Sequence, residues 1–521
     1  MRQLLALSCL LGLACAGPTT ITPPAAPVPG QPPAPSQPAS RSAAPGTAPD
    51  PLAAVPPPPA ECNHLGQAVV RPTRGCGGPA QTLAALDRAL SEGDTGKRDA
   101  ALGELEGCME FDLGLVVALR AELAPRECGD YVVADYRKTR PLAPAVRDTL
   151  VGLDLGAKLA RLVRVPPELE PPHTKPRVQA FIRGAMADWV TAQAGAIGDL
   201  ARKGSRLGGY GKGIVAVEAG MADMRFVEVF RRVPLPDELG SDPELRDAYY
   251  SSLDQGLEPR KDRGRDAALV GLKMLGEIGV LHDARVDQAR ALLSRLYNGR
   301  RIDALDGLLL PALSQPQPKT LEQRLATHLP TFYADSVLKA ADPNDAALLG
   351  ALLTRGLPSS LRSRLDQTEL GPETRLAYAR GLFELGRTYW RAADFGRARA
   401  VAIGRGNPGG EAKLLGALGL ALEQGPKDAA LMMLRGPMPL GIGNVSELDS
   451  LGRTRGEIAG MATYDAAFIR ELAPPAQKNP GFFRDLAVRY GRAASLLTAP
   501  AEQKLARDRA EAASSTARAV R

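Results

Sequence analysis

The side chains that could do acid–base or nucleophilic chemistry are few, and they form no familiar catalytic pattern. Four histidines are spread along the chain, at His64, His173, His282 and His328. None belongs to an H-E-x-x-H helix, and no G-x-S-x-G turn that could present a nucleophilic serine occurs. The sequence therefore predicts no catalytic residues and a protein that is not an enzyme.

A glycine-rich stretch, GSRLGGYGKGIVAV at residues 204–217, could cradle a phosphate by composition. A P-loop needs a glycine four intervening residues before its Gly-Lys pair and a serine or threonine after it. No glycine occupies the first position before Gly211-Lys212, and Gly213 occupies the last. We therefore expect no nucleotide and no other cofactor, and we interpret the stretch as a mobile hinge between helices.

The first 16 residues have the pattern of an export signal. Arg2 precedes a short apolar stretch from Leu4 to Leu13, and small residues follow. The stretch is too short to span a bilayer, which takes about 20 apolar residues. Cleavage after the small residues around Cys15 would release a soluble periplasmic or secreted protein.

The same segment also supports a second interpretation. Residues 11–15 read LGLAC, with Gly12 where leucine is usual, and resemble the lipobox of bacterial lipoproteins. The resemblance implies that Cys15 is acylated and becomes the first residue of the mature chain. It also implies anchoring in the outer membrane, because Ala16 stands where an aspartate would retain a lipoprotein in the inner membrane.

A proline-rich segment follows the cysteine. Residues 16–60 contain 16 of the 45 prolines and two charged side chains, Arg41 and Asp50. Such a composition buries too little apolar surface to offset the entropy of ordering. We expect a disordered linker, which suits a tethered protein.

Four further cysteines, Cys62, Cys76, Cys108 and Cys128, lie close together, and none follows them. In an exported chain they predict two disulfides, for which three pairings are possible. Short local loops favour Cys62 with Cys76 and Cys108 with Cys128. A metal site using His64 is the alternative, but the spacing matches no C-x-x-C pattern and we expect no metal.

Charge and aromatic content argue against nucleic acid as a partner. The net charge of +7 comes from 65 basic and 58 acidic residues, so no basic stripe dominates. The densest cluster runs from Arg260 to Arg265, is interleaved with aspartates, and is interpreted as a solvated loop and helix start. Tryptophan, tyrosine and phenylalanine make up only 4% of the chain, so stacking platforms for bases are scarce.

Helical periodicity runs through most of the remaining sequence. Small or apolar residues recur at one-face spacing in residues 266–281 and again in 286–297, which predicts a helical hairpin turning near His282 and Asp283. Helix starts are predicted at Asp242-Pro243, Asp342-Pro343 and Gly371-Pro372. The predicted fold class is all-α.

One segment, YARGLFELGRTYWRAADFGRARAVA at residues 378–402, resembles a tetratricopeptide repeat. A second Leu-Gly pair at Leu418-Gly419 follows the first by 33 residues, close to the repeat period. The resemblance implies a TPR-like α-solenoid, and simple bundle packing of small residues is the alternative. The residues expected to pack the repeat are Leu385, Gly386, Tyr389, Phe395 and Ala398.

These features predict five parts of the chain. They are a signal peptide (1–15), a disordered linker (16–60), a cysteine-containing helical cap (61–140), a helical-repeat region (141–360) and a TPR-like C-terminal region (361–521).

Helical arrays bind peptides or partner subunits along a concave face. We therefore expect an outer-membrane lipoprotein facing the periplasm, acting as a scaffold for envelope proteins in assembly, secretion, pilus or gliding motility. The alternative is a protein that binds or cleaves peptidoglycan, like the helical lytic transglycosylases.

Overall fold

The computed structural model describes residues 51–134, 136, 141–240, 242–297, 300–313, 317–404, 408–426, 428–435, 445–474 and 479–520. The predicted signal peptide, Cys15 and most of the predicted linker lie outside these ranges. Regular structure in the described residues is helical, apart from isolated bridges between Arg74 and Cys108 and between Val280 and Gly356. The predicted all-α fold class is confirmed.

Short 3-10 turns at Pro51–Ala54 and Ala60–His64 open the described chain. The helices up to the centre of the chain are α1 (Pro79–Leu90), α2 (Thr95–Gly103), α3 (Leu115–Leu123), α4 (Gly129–Val133), α5 (Pro144–Arg161), α6 (Lys175–Phe181), α7 (Ala187–Gly204), α8 (Gly209–Arg231), α9 (Asp237–Gly240) and α10 (Pro243–Ile278). A π-helical turn, Ile182–Met186, joins α6 to α7.

The helices of the second half follow in chain order. They are α11 (Ala284–Leu296), α12 (Leu321–His328), α13 (Thr331–Val337), α14 (Ala346–Leu352), α15 (Ser359–Leu365), α16 (Pro372–Tyr389), α17 (Ala392–Ile403), α18 (Gly410–Leu422), α19 (Ala429–Arg435), α20 (Ser446–Gly452), α21 (Glu457–Leu472), α22 (Pro480–Leu496) and α23 (Pro500–Ala519). A 3-10 turn at Ala304–Gly307 lies between α11 and α12. Among the described helices, none is both long enough and apolar enough to cross a membrane.

Helix α8 lies at the centre of the first half. It packs against α5, α7, α10 and α11, so most of its surface is buried. A helix that is covered on all sides is expected to carry apolar residues around its whole circumference. Any charged residue in it needs a buried partner. Glu218 and Asp223 of α8 are accordingly both buried and both paired with arginines.

The glycines at the start of α8 permit a close helix crossing. A Cβ on Gly211 would lie 1.9 Å from the carbonyl oxygen of Asp148, and a Cβ on Gly152 would lie 2.4 Å from the Gly211 Cα. The interpretation of this stretch as a mobile hinge is wrong, because Gly211 and Gly213 are buried in α8 where it crosses α5 and α10.

The basic cluster around Arg260 is also not a solvated loop. It lies in the middle of α10, a helix of 36 residues that begins at the Asp242 cap. Arg260 is 3% exposed, pairs with Asp223 at 3.0 Å and stacks over the Phe226 ring at 3.6 Å. Acidic and basic residues alternate in this segment, so the sequence pattern did not show that one face of the helix is buried here.

The last ten residues of the predicted linker, 51–60, are ordered against the body. The side-chain amide of Gln193 donates to the Ala54 carbonyl at 3.1 Å, and the Arg161 guanidinium donates to the Pro56 carbonyl at 2.9 Å. Leu52 and Val55 pack on the core. A disordered linker therefore does not extend to residue 60.

The predicted disulfides exist, but the favoured pairing was wrong. The structure joins Cys62 to Cys128 and Cys76 to Cys108. Each disulfide lies where two segments of the chain meet. Near Cys62–Cys128 the Ala68 amide donates to the Val132 carbonyl at 2.9 Å, and near Cys76–Cys108 residues 74 and 108 form a bridge. Proximity along the sequence was therefore a poor guide to proximity in space.

Two of the three predicted helix starts are confirmed. The Asp242 carboxylate caps α10 and Pro372 opens α16. The third is three residues early, since Asp345 caps α14 by accepting from two backbone amides, whereas Asp342 accepts from Asn344 in the preceding turn. The two helices and the turn predicted at 266–297 are present as the end of α10 and α11, with Asp283 capping α11, but both helices pack mainly against α8 rather than against each other as a hairpin.

Residues 372–403 form a helical hairpin of α16 and α17. A Cβ on Gly386 would lie 2.7 Å from the Phe395 ring, and Leu385 and Ala398 are fully buried. Tyr389 donates from its hydroxyl to the Val280 carbonyl at 2.7 Å, so it ties the hairpin to the loop after α10.

A nearest-neighbour array does not describe all the packing. Helices α1 and α12 are in contact although they are far apart along the chain, and Arg324 pairs with Asp87 at 2.9 Å across them. In a solenoid each repeat touches only its neighbours. The solenoid and the tetratricopeptide likeness remain predictions.

Candidate functional site

Two openings in the described part of the chain are candidate binding sites. One is a cleft of about 240 Å³, called here the central cleft. It lies between the end of α3, the start of α8, the loop 280–284 and Arg355, with Glu122 and Arg285 on its walls. The other is a groove of about 870 Å³ at the first turns of α14 and α16, called here the acidic groove.

Buried charges form the wall of the central cleft. The Arg285 guanidinium donates to the Glu122 carboxylate at 2.7 Å, and the Tyr210 hydroxyl donates to the same oxygen at 2.8 Å. The side chains of Glu122 and Arg285 are 4% and 9% exposed. Burial raises the pKa of Glu122, and the facing Arg285 opposes that shift.

A second carboxylate lies deeper. Glu218 is fully buried and faces Arg126 at 2.6 Å, with Arg225 and Arg285 both 3.7 Å away. Burial lowers the pKa of Arg225 to about 10, although Glu218 opposes the change. Three guanidinium groups thus surround one carboxylate.

This network joins the cysteine-containing cap to the helices behind it. Glu122 and Arg126 belong to the cap, whereas Tyr210, Glu218 and Arg285 belong to α8 and α11. Paired charges in a dry site are costly to break, because the partner left behind stays buried without compensation. The geometry fits a structural lock, since Glu122, Arg126 and Arg285 on the wall already have charged partners.

The acidic groove differs because two of its three carboxylates have no ion-pair partner among the described residues. Glu373 and Glu411 are exposed, line the groove, and have no ion-pair partner among the described residues. The groove floor contains small side chains, among them Ala346, Ala347 and Gly350. An open groove whose exposed carboxylates pair with none of the described residues can accept an extended segment that carries basic side chains.

One groove carboxylate has a structural task. The Asp345 carboxylate accepts from the amides of Ala347 and Leu348 at 2.9 and 3.0 Å, and from the Gln323 side chain at 2.8 Å. It therefore fixes the first turn of α14, which forms one wall. The adjacent Thr374 hydroxyl donates to the Asn344 carbonyl at 3.0 Å and joins the two walls.

The residues singled out from the sequence lie elsewhere. Cys15 is outside the described residues. The four cap cysteines form the two disulfides, and Leu385, Gly386, Tyr389, Phe395 and Ala398 are core residues of α16 and α17. Of the histidines, only His282 lies at the rim of either opening, where its side chain is exposed on the central cleft.

Sequence reasoning missed both openings. Glu122 and Arg285 are 163 residues apart and Arg126 and Glu218 are 92 residues apart, so no local spacing marks the pairs. Comparison with known proteins adds nothing to these assignments, because no family model, curated protein or solved structure matches the chain.

Proposed function

We propose that the protein is an exported scaffold, tethered to the outer membrane through Cys15, that binds an envelope protein in the acidic groove. The occupant is an extended segment of that partner carrying lysine or arginine side chains. The observation that carries the proposal is the groove itself, whose volume of about 870 Å³ is lined by the carboxylates of Glu373 and Glu411, which pair with none of the described residues. Charge complementarity of this kind sets partner choice and association rate.

The two disulfides support export. Disulfides persist in oxidising compartments such as the bacterial periplasm and are rare in the cytosol. Both bonds lie in the cap, directly after the segment that would form the tether. The cross-links within residues 62–128 stabilise the part of the described chain that follows the predicted linker.

Charge reversal in the groove tests the proposal. The double variant E373K/E411K should lose the partner that co-purifies with the full chain after cross-linking, by about tenfold or more. The matched control E61K/E511K changes net charge equally at two exposed glutamates outside the groove. Equal recovery of the partner by both double variants would refute binding in the groove.

The tether has its own test. Cys15→Ser should move the protein from the membrane pellet to the soluble periplasmic fraction, because acylation needs the thiol. Membrane retention of the Cys15→Ser protein would contradict the anchor, whatever the groove binds.

Peptidoglycan cleavage is the alternative that deserves one assay. Glu122 is a carboxyl whose pKa burial raises, as an acid catalyst needs. Its side chain is only 4% exposed and one oxygen already accepts from Tyr210 and Arg285, which favours the scaffold. Muropeptide release from purified sacculi, lost in Glu122→Gln, would favour the enzyme instead.

A further inference from the structure

Three ligand atoms for a metal ion lie together in the cap. The sulfur atoms of Cys76 and Cys108 and a carboxylate oxygen of Glu110 are all within 4.8 Å of one another. The two sulfurs are joined as a disulfide in the structure. Two thiolates and a carboxylate are a ligand set that zinc accepts, usually with a fourth ligand in a tetrahedral site.

Hydrogen bonds that do not involve the disulfide hold these residues in place. The Arg74 amide donates to the Gly107 carbonyl at 2.8 Å, and the Met109 amide donates to the Arg74 carbonyl at 2.9 Å. The amides of Cys76 and Gly78 both donate to Glu110 Oε1 at 3.0 Å. These hydrogen bonds join the two segments that carry the ligands independently of the sulfur–sulfur bond.

Glu110 is oriented as a ligand. Its Oε1 accepts both backbone amides, whereas its Oε2 is buried and has no hydrogen-bond partner within the described residues. Outer hydrogen bonds of this kind fix the direction of a ligating carboxylate.

The two disulfides differ in how far a reductant in solution can reach their sulfur atoms. Cys62 and Cys128 are both 0% exposed. Cys76 is partly exposed and lies in a loop whose residues 72–75 are all exposed. Thiol–disulfide exchange depends on access to the sulfur under attack, so a reductant reaches Cys76–Cys108 first.

We propose that reduction of the Cys76–Cys108 disulfide creates a zinc site made of the two thiolates and Glu110 Oε2, with the fourth position left to water. The reductant is a dithiol protein. One of its thiolates attacks a sulfur of the disulfide, forms a mixed disulfide with that cysteine and releases the other cysteine as a thiolate. The second thiol of the reductant, as its thiolate, then attacks the reductant's own sulfur in the mixed disulfide and releases the remaining cysteine. The products are an oxidised reductant and two cysteines of this chain, whose thiol protons pass to solvent when zinc binds.

Zinc binding by the full mature chain tests the proposal. The protein is reduced with a water-soluble phosphine, desalted without air, and titrated with Zn²⁺ against a chromophoric chelator. Alkylation and mass measurement record which cysteines are free. The reduced protein should bind one zinc ion per chain, and the oxidised protein should bind none at the same concentrations.

Variants separate this site from other thiols. C76S/C108S should abolish the binding, Glu110→Gln should weaken it by about tenfold or more, and the neighbouring exposed Glu104→Gln should leave it unchanged. The proposal is overturned if reduced C76S/C108S or Glu110→Gln binds zinc as tightly as the parent. It is equally overturned if circular dichroism shows that reduction unfolds the cap, because the backbone hydrogen bonds would then not preserve the site.

Discussion

Glu218 shows how a residue's environment is set by partners far away along the chain. It is a fully buried carboxylate of α8, and the arginines around it come from the cap, from α8 and from α11. The sequence supports the expectation that a buried charge has a partner, but not which arginine supplies it. The same limit applies to the cap cysteines, whose oxidation was predicted and whose pairing was not.

Substitution of Arg285 tests whether the buried network of charges stabilises the fold. Arg285→Met keeps the aliphatic stem but leaves Glu122 without its guanidinium partner at 2.7 Å. We expect the free energy of unfolding in urea to fall by about 3–5 kcal/mol. Arg301→Met, which removes a 64% exposed arginine paired with Asp303, should cost less than about 1 kcal/mol. An equal fall in the free energy of unfolding for both variants would mean that the buried network does not hold the cap to the helices behind it.

Asp465 predicts a pH dependence of stability. It is fully buried in α21, and its carboxylate accepts from the Leu309 amide at 2.8 Å. Burial raises its pKa well above the ordinary 3.8, and the Leu309 amide opposes the shift. Because the folded pKa is raised, the stabilising contribution is complete below 3.8 and is lost as the pH rises through the folded pKa.

The check on Asp465 is a difference between two proteins. Asp465→Asn keeps an acceptor for Leu309 but cannot ionise. The stability of the parent relative to this variant should fall as the pH rises from about 4 to about 8, measured by urea unfolding at each pH. A constant difference across that range would contradict the raised pKa.

At the scale of elements, the sequence predicted which helices exist better than it predicted where they begin. Proline and aspartate marked the starts of α10 and α16 correctly because their chemistry is local. The same kind of signal failed at Asp342, because Asp345 also caps and has the support of Gln323. Burial of α8 and α10 was missed because it depends on which helices cover them.

Close helix crossings give a second stability prediction. Gly211→Ala places a Cβ 1.9 Å from the Asp148 carbonyl, so α5 and α8 must move apart, at a cost of about 1–3 kcal/mol. Gly198→Ala in α7 meets nothing within 4 Å and should stabilise by about 0.5–1 kcal/mol through helix propensity. Thermal unfolding of the two variants should therefore shift in opposite directions. A Gly211→Ala protein as stable as the parent would contradict the close crossing of α5 and α8.

At the scale of the whole molecule, the all-α class followed from periodicity alone, whereas the arrangement did not. Contacts such as α1 with α12 bring together helices that no local pattern connects. The acidic groove arises in the same way, since Glu411 of α18 faces the first turns of α14 and α16. A binding surface assembled from separate helices leaves no motif in the sequence.

The central claim is that a partner segment occupies the acidic groove. A photo-cross-linking amino acid at position 376, on the groove wall, tests it in intact cells, with position 488 as a control that is 71% exposed and outside the groove. We predict a discrete adduct from position 376 that is absent from position 488 and disappears in the E373K/E411K background. No adduct at 376, or the same adduct from both positions, would contradict the account.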